Sequence, residues 1–87
     1  MQLLEDPVQL AYQEMREKSF TEKKIAVYLY HIKEFLYTVD KSIDNIKQSD
    51  VNEYLQNILM KTGGLNYIVS DSLKLFLNST LRNSFQV

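Results

Sequence analysis

The stretch from Glu22 to Val39 constrains the fold more than any other part of the chain. Thr21 stands just before it as an N-cap, and Phe20 and Ile25 have the spacing of a hydrophobic staple. Apolar residues then recur at the i, i+3, i+4, i+7 spacing of an amphipathic helix. These residues are Ile25, Tyr28, Leu29, Ile32, Phe35, Leu36 and Val39. The sequence therefore predicts a helix over 22–39 with one buried face.

The opposite face of this helix is unusual because it mixes charged with large apolar side chains. It carries Lys23, Val27, Tyr30, Glu34 and Tyr37. Because large apolar side chains on a solvent-facing stripe are a mark of interaction surfaces, Val27, Tyr30 and Tyr37 form a candidate protein interface.

Three more amphipathic segments follow the same period. The first spans about 8–18, with Pro7 at the first helical position and Asp6 and Gln9 spaced as a capping box. The third helix is predicted over 49–61 and the fourth over 66–82. The residues expected to face inward are Val8, Ala11, Tyr12, Met15, Val51, Tyr54, Leu55, Ile58, Leu59, Val69, Leu73, Phe76, Leu77 and Thr80.

The sequence signals for the start and the end of the third helix differ in strength. The connection over 40–48 has Ile43 and Ile46 as anchors, and the staple spacing of Ile46 and Val51 puts the third cap at Lys47. Because lysine is a poor cap, Gln48 or Ser49 is expected to replace it. The pair Gly63-Gly64 is expected to end the third helix, with one glycine left-handed.

Composition agrees with a single helical domain. With 87 residues the chain has room for one modest core, and two Gly and one Pro leave few tight turns for a β-sandwich. No apolar run approaches the roughly 20 residues of a membrane span, and the first residues lack the pattern of a signal peptide. We therefore expect a compact all-α, four-helix bundle-like domain, ordered over about 8–82, in a cytoplasmic protein.

The motifs that carry chemistry are missing from the sequence. The chain contains no Cys and one His, so thiol nucleophiles and Cys-based zinc sites are excluded. No phosphate-binding glycine loop or metal-binding helix motif occurs, and no serine has a placed His base. We expect no catalytic residue, no bound metal and no cofactor.

DNA binding is compatible with the net charge of −1 only if basic residues share a face. Helix N-termini attract phosphates, and Thr21 adds a hydroxyl at such an end. His31 follows Lys24 by seven residues on one helix face, and either a half-buried packing role or a phosphate contact fits it. The candidate DNA-binding residues are Thr21, Lys23, Lys24, His31, Lys61, Thr62, Asn66, Lys74 and Arg82.

Three segments together resemble a known family. They are residues 20–28 (FTEKKIAVY) with Ile32, Phe35 and Leu36; Ile46 with Asp50-Val51 and Tyr54-Leu55; and residues 73–77 (LKLFL). In this order and spacing they resemble the N-terminal, SAM-like core-binding domain of tyrosine recombinases and phage integrases. The likeness covers about 8–81. The sequence departs from the family at Lys24, at Tyr30-His31, at Lys47 and at the start of the fourth helix, which has no Arg.

The resemblance implies a function in DNA integration or recombination. In this family the domain is half of a C-shaped clamp that grips the double-stranded core site. A separate catalytic domain carries the Arg, His and Tyr of strand cleavage, and that domain is absent from this sequence. The implied partners are DNA, contacted mainly through its backbone, the protein's own catalytic domain and neighbouring recombinase subunits. A bacterial or phage origin would follow.

Two other functions also fit the residues. One is a helical protein-interaction domain that does not bind DNA, using Val27, Tyr30 and Tyr37 together with Ile68 and Leu75, which lie off the main stripe of the fourth helix. The other is a small helix-turn-helix regulator. It fits less well because no short turn leads into a basic recognition helix.

Overall fold

The helix predicted most clearly forms with the predicted bounds. The computed structural model of the chain describes residues 7–64 and 67–80, and its second helix, α2, spans Glu22–Val39. Thr21 has extended backbone angles, and its Oγ1 accepts the backbone N–H of Lys24 at 3.1 Å. At the other end Asp40 is left-handed, with φ of 54°, and its N–H donates to the Leu36 carbonyl at 3.0 Å. These bonds satisfy backbone groups that a helix end leaves unpaired.

Helix α1 spans Pro7–Glu17 and leads into a tight reversal of the chain. Ser19 is left-handed, with φ of 62°, and the Phe20 N–H donates to the Met15 carbonyl at 3.0 Å. The reversal brings the Phe20 ring onto the core. The predicted cap at Asp6 lies outside the described residues.

Helix α3 spans Gln48–Thr62 and corrects one prediction about its start. Neither Gln48 nor Ser49 caps it, because Lys47 is the N-cap residue. The Asp50 carboxylate makes this possible by accepting the Lys47 backbone N–H at 2.9 Å, and it also accepts from the Lys41 ammonium at 3.0 Å. As predicted, a left-handed glycine ends the helix: Gly63 has φ of 76° and donates to the Leu59 carbonyl.

Helix α4 spans Tyr67–Thr80, and a short 3₁₀ turn over Ile43–Asn45 lies between α2 and α3. The described residues hold four α-helices and no strand, which confirms the all-α, four-helix bundle-like fold. None of these helices is long and apolar enough to cross a membrane.

The core is built around α2, which packs against the other three helices, while α1 also packs on α4. Ile43 and Ile46 anchor the connection to α3, as predicted. Phe35 meets Tyr54 edge to face, with ring centroids 5.1 Å apart. The buried apolar residues are Ala11, Met15, Ile25, Tyr28, Ile32, Phe35, Ile46, Val51, Tyr54, Val69, Leu73, Phe76 and Leu77. The Thr80 side chain lies outside the described part of the structure.

Three apolar residues occupy places that the sequence did not predict. Leu59, expected inward, is 40% exposed near the end of α3. Ile68 and Leu75, considered as partner surface, are half-buried and pack against the core.

Ser72 is fully buried, and its hydroxyl donates to the Ile68 carbonyl at 2.6 Å, so α4 buries this polar group without an unpaired donor.

Candidate nucleic-acid interface

The starts of α2 and α4 face each other across a shallow groove of about 420 Å³. We call this the α2–α4 groove. It is lined by Thr21, Lys23, Lys24, Val27, Tyr28, Tyr67 and Ile68. Three of the nine predicted DNA-binding residues therefore lie together, beside the first turn of a second helix.

Lys24 is held in place at this groove by aromatic rings. Its ammonium lies 4.1 Å from the centre of the Phe20 ring and 5.6 Å from that of Tyr28. Such cation–π contacts restrain a flexible side chain without neutralising its charge. The residue thus offers a positioned, exposed positive charge.

Thr21 caps α2 and can still donate a hydrogen bond to a ligand. Its oxygen accepts from the Lys24 backbone, so the hydroxyl keeps one proton that can be donated to a phosphate oxygen. Lys23 is exposed and lies on the same groove. Together these groups can contact an anionic backbone, which positions a duplex rather than reading its sequence.

A hydrogen bond between α2 and α4 fixes the floor of the groove. The Tyr28 hydroxyl donates to the Asp71 carboxylate at 2.5 Å, and the Tyr28 ring lies edge to face against Phe20 with centroids 5.4 Å apart. Burial, helped by the neighbouring Asp71 carboxylate, raises the pKa of Tyr28 to about 12. The pair ties the starts of α2 and α4 together.

His31 and Thr62 share a different groove, which also includes Tyr30, Glu34, Tyr54 and Val69. His31 is half-buried, and its ring lies edge to face on Tyr30 with centroids 5.2 Å apart. Burial lowers the pKa of His31, although the Glu34 carboxylate acts in the opposite direction. The ring is therefore packed, and burial disfavours the positive charge that the predicted phosphate contact would use.

At the end of α3, the Thr62 hydroxyl bonds to nearby backbone carbonyls. The Thr62 Oγ1 lies 2.9 Å from the Ile58 carbonyl oxygen and 2.5 Å from that of Gly64, so its one proton serves the helix end. Lys61 is exposed on another groove, beside Glu34 and Thr38. These two predicted residues are adjacent in sequence but do not line the α2–α4 groove.

Lys74 lies on a further groove with Glu14, Lys18 and Asp71. Lys18 and Glu14 form an ion pair at 3.5 Å, so charges of both signs surround Lys74. Asn66 and Arg82, also predicted to contact DNA, lie outside the described residues.

The outer face of α2 is exposed as predicted. Val27 is 39%, Tyr30 60% and Tyr37 84% exposed. Tyr67 is 74% exposed on the α2–α4 groove, and the sequence assigned it no role. Tyr67 lies seven residues before Lys74, so helical spacing places both on the outer face of α4, and this spacing is the sequence feature that could have predicted its exposure.

Within residues 7–64 and 67–80 no group of three His, Cys, Asp or Glu side chains is placed to hold a metal ion. Comparisons of the chain with protein-family models, with curated proteins and with solved structures find no match.

Proposed function

We propose that this chain is a DNA-binding domain of a site-specific tyrosine recombinase or phage integrase. It would grip the core recombination site as one half of a clamp. The observation that carries the proposal is the α2–α4 groove, where Thr21, Lys23 and Lys24 lie beside the first turn of α4. The resemblance of three segments to the core-binding domain supports it, because those segments contribute to α2, α3 and α4.

The groove suits contacts to the DNA backbone. Two ammonium groups, a hydroxyl and a helix N-terminus can each meet a phosphate oxygen. With roughly four to six phosphate contacts in all, binding by the domain alone would be weak and would fall steeply with salt. Strand cleavage would belong to a separate catalytic domain of the same protein, and neighbouring subunits would meet on the DNA.

Substitution of one groove lysine tests the proposal. Lys24→Gln should lower affinity for a duplex and reduce the slope of log K against log salt by about one, because one phosphate contact is lost. Fluorescence anisotropy over a series of salt concentrations measures both quantities.

The matched control is Lys33→Gln. Lys33 is also exposed on α2, but it lies about half a turn around the helix from Lys24, on a groove with Val8, Gln9 and Tyr12. This variant changes the net charge equally and should bind like wild type. Equal losses in the two variants would mean that the binding is unspecific attraction, and the proposal would be wrong.

A second candidate function is a helical protein-interaction domain without DNA binding. The observation in its favour is the outer face of α2, because Val27, Tyr30 and Tyr37 are large apolar side chains exposed on one helix. The two functions are compatible if the same face joins neighbouring subunits on DNA.

Analytical ultracentrifugation tests whether copies of the chain associate through the outer face of α2. If the outer face of α2 joins copies of the chain, wild type should sediment as a larger species than the variant with Tyr30→Ser and Tyr37→Ser. An unchanged mass for the two proteins would count against self-association through this face.

A further inference from the structure

Tyr67 is a large aromatic residue that the fold leaves in solvent. It stands in the first turn of α4, and 74% of its surface is exposed. Its neighbours across the α2–α4 groove include Lys23, Lys24 and Val27. An exposed ring beside two ammonium groups needs an explanation that the packing of the helices does not supply.

The combination fits one kind of nucleic acid better than others. In a paired duplex the faces of the bases are stacked on each other, so side chains on a surface reach mainly phosphates. Where bases are unpaired, an aromatic ring can stack on a base while lysines hold the backbone. Such stacking tolerates any sequence because every base has a π face.

We infer that Tyr67 stacks on an unpaired base, and that the α2–α4 groove therefore prefers DNA with locally unpaired bases to fully paired duplex. The inference rests on the proposed function, because it names the form of DNA that the same groove takes. Lys24, restrained over Phe20, would hold the adjoining phosphate. The apolar side chains of Val27 and Ile68 beside Tyr28 give the base a partly dry floor.

The test compares a short duplex with the same duplex carrying a central bubble of unpaired bases. Anisotropy at low salt should show wild type binding the bubble at least about fivefold more tightly, which corresponds to the lower end of measured base–aromatic stacking. Tyr67→Ala should lose this preference and keep its duplex affinity, whereas Tyr67→Phe should retain the preference.

Met60→Ala is the matched control, because Met60 is also a large apolar residue with 74% of its surface exposed but does not line the groove. It should behave as wild type. If wild type binds duplex and bubble equally, or if Tyr67→Ala keeps the preference, the inference is overturned while the proposed function stands. If wild type binds neither DNA, both are overturned. Circular dichroism checks that each variant is folded.

Discussion

At the scale of single residues, the contact between Tyr28 and Asp71 matters most for the candidate interface. The sequence predicted Tyr28 as a core residue, and its ring is buried. Its hydroxyl bond to Asp71, 43 positions away, was not predictable from helical spacing, because that spacing does not say which helices become neighbours. Tyr28 therefore combines a predictable role in the core with an unpredictable role in joining α2 to α4.

Replacing Tyr28 with Phe removes only the hydroxyl. We expect Tyr28→Phe to lower the free energy of unfolding by about 1 kcal/mol at neutral pH, because Asp71 is exposed and regains water as its partner. Urea unfolding followed by circular dichroism measures the change. A loss of several kcal/mol would mean that the ring packing had also been disturbed.

The same substitution should alter stability at high pH. Folding raises the pKa of Tyr28 from 10.0 to about 12, so the folded state holds a proton that the unfolded state releases in this range. The stability that this proton supplies is complete below pH 10 and is lost as the pH rises toward 12. Wild type should therefore lose more stability than Tyr28→Phe between these pH values. Burial also raises the pKa of Tyr54, but that contribution is common to both proteins. Parallel losses would contradict the assignment.

At the scale of secondary-structure elements, the apolar period predicted the helices well. The bounds of α2 were predicted to the residue, because both its cap and its stripe are strong signals. The staple spacing of Ile46 and Val51 placed the cap of α3 correctly at Lys47, whereas the cap preferences that favoured Gln48 or Ser49 were wrong, since they describe the residue's own side chain. Here the cap is stabilised from inside the helix by Asp50, which accepts the Lys47 N–H. Ile68 and Leu75 were considered as partner surface, but both pack against the core. Periodicity identifies the most apolar face of a helix, but it does not show which neighbouring helix covers the residues at the edge of that face.

The unusual cap predicts a stabilising substitution. Lys47 has the extended angles of an N-cap residue but makes no side-chain capping bond. Lys47→Thr should add a hydroxyl acceptor for the first turn of α3 and raise the free energy of unfolding by about 1 kcal/mol. For a domain of this size, Tm should rise by about 4–8 °C.

Lys47→Ala is the control for this prediction, because it removes the same lysine without adding an acceptor. Thermal unfolding should show no comparable gain for Ala. If Thr and Ala shift Tm equally, the effect comes from loss of the lysine and the capping explanation is wrong.

At the scale of the whole molecule, the fold divides residues that the sequence had grouped. Thr21, Lys23 and Lys24 share the α2–α4 groove, whereas His31, Lys61 and Lys74 line three others. Each side chain's exposure follows from its place on a helix face. Which side chains stand together depends on how α4 crosses α2, and no local pattern encodes that crossing. The chain therefore has a small basic surface, formed by Lys23 and Lys24 near the starts of α2 and α4, although its net charge is −1.

A chemical-shift titration of the isotope-labelled chain with duplex DNA at low salt tests the central claim most directly. If the α2–α4 groove binds the DNA backbone, the largest amide changes will occur at Thr21–Lys24 and in the first turn of α4, and they will fade as salt is added. Changes confined to other parts of the chain, with these two helix starts unmoved, would contradict this claim.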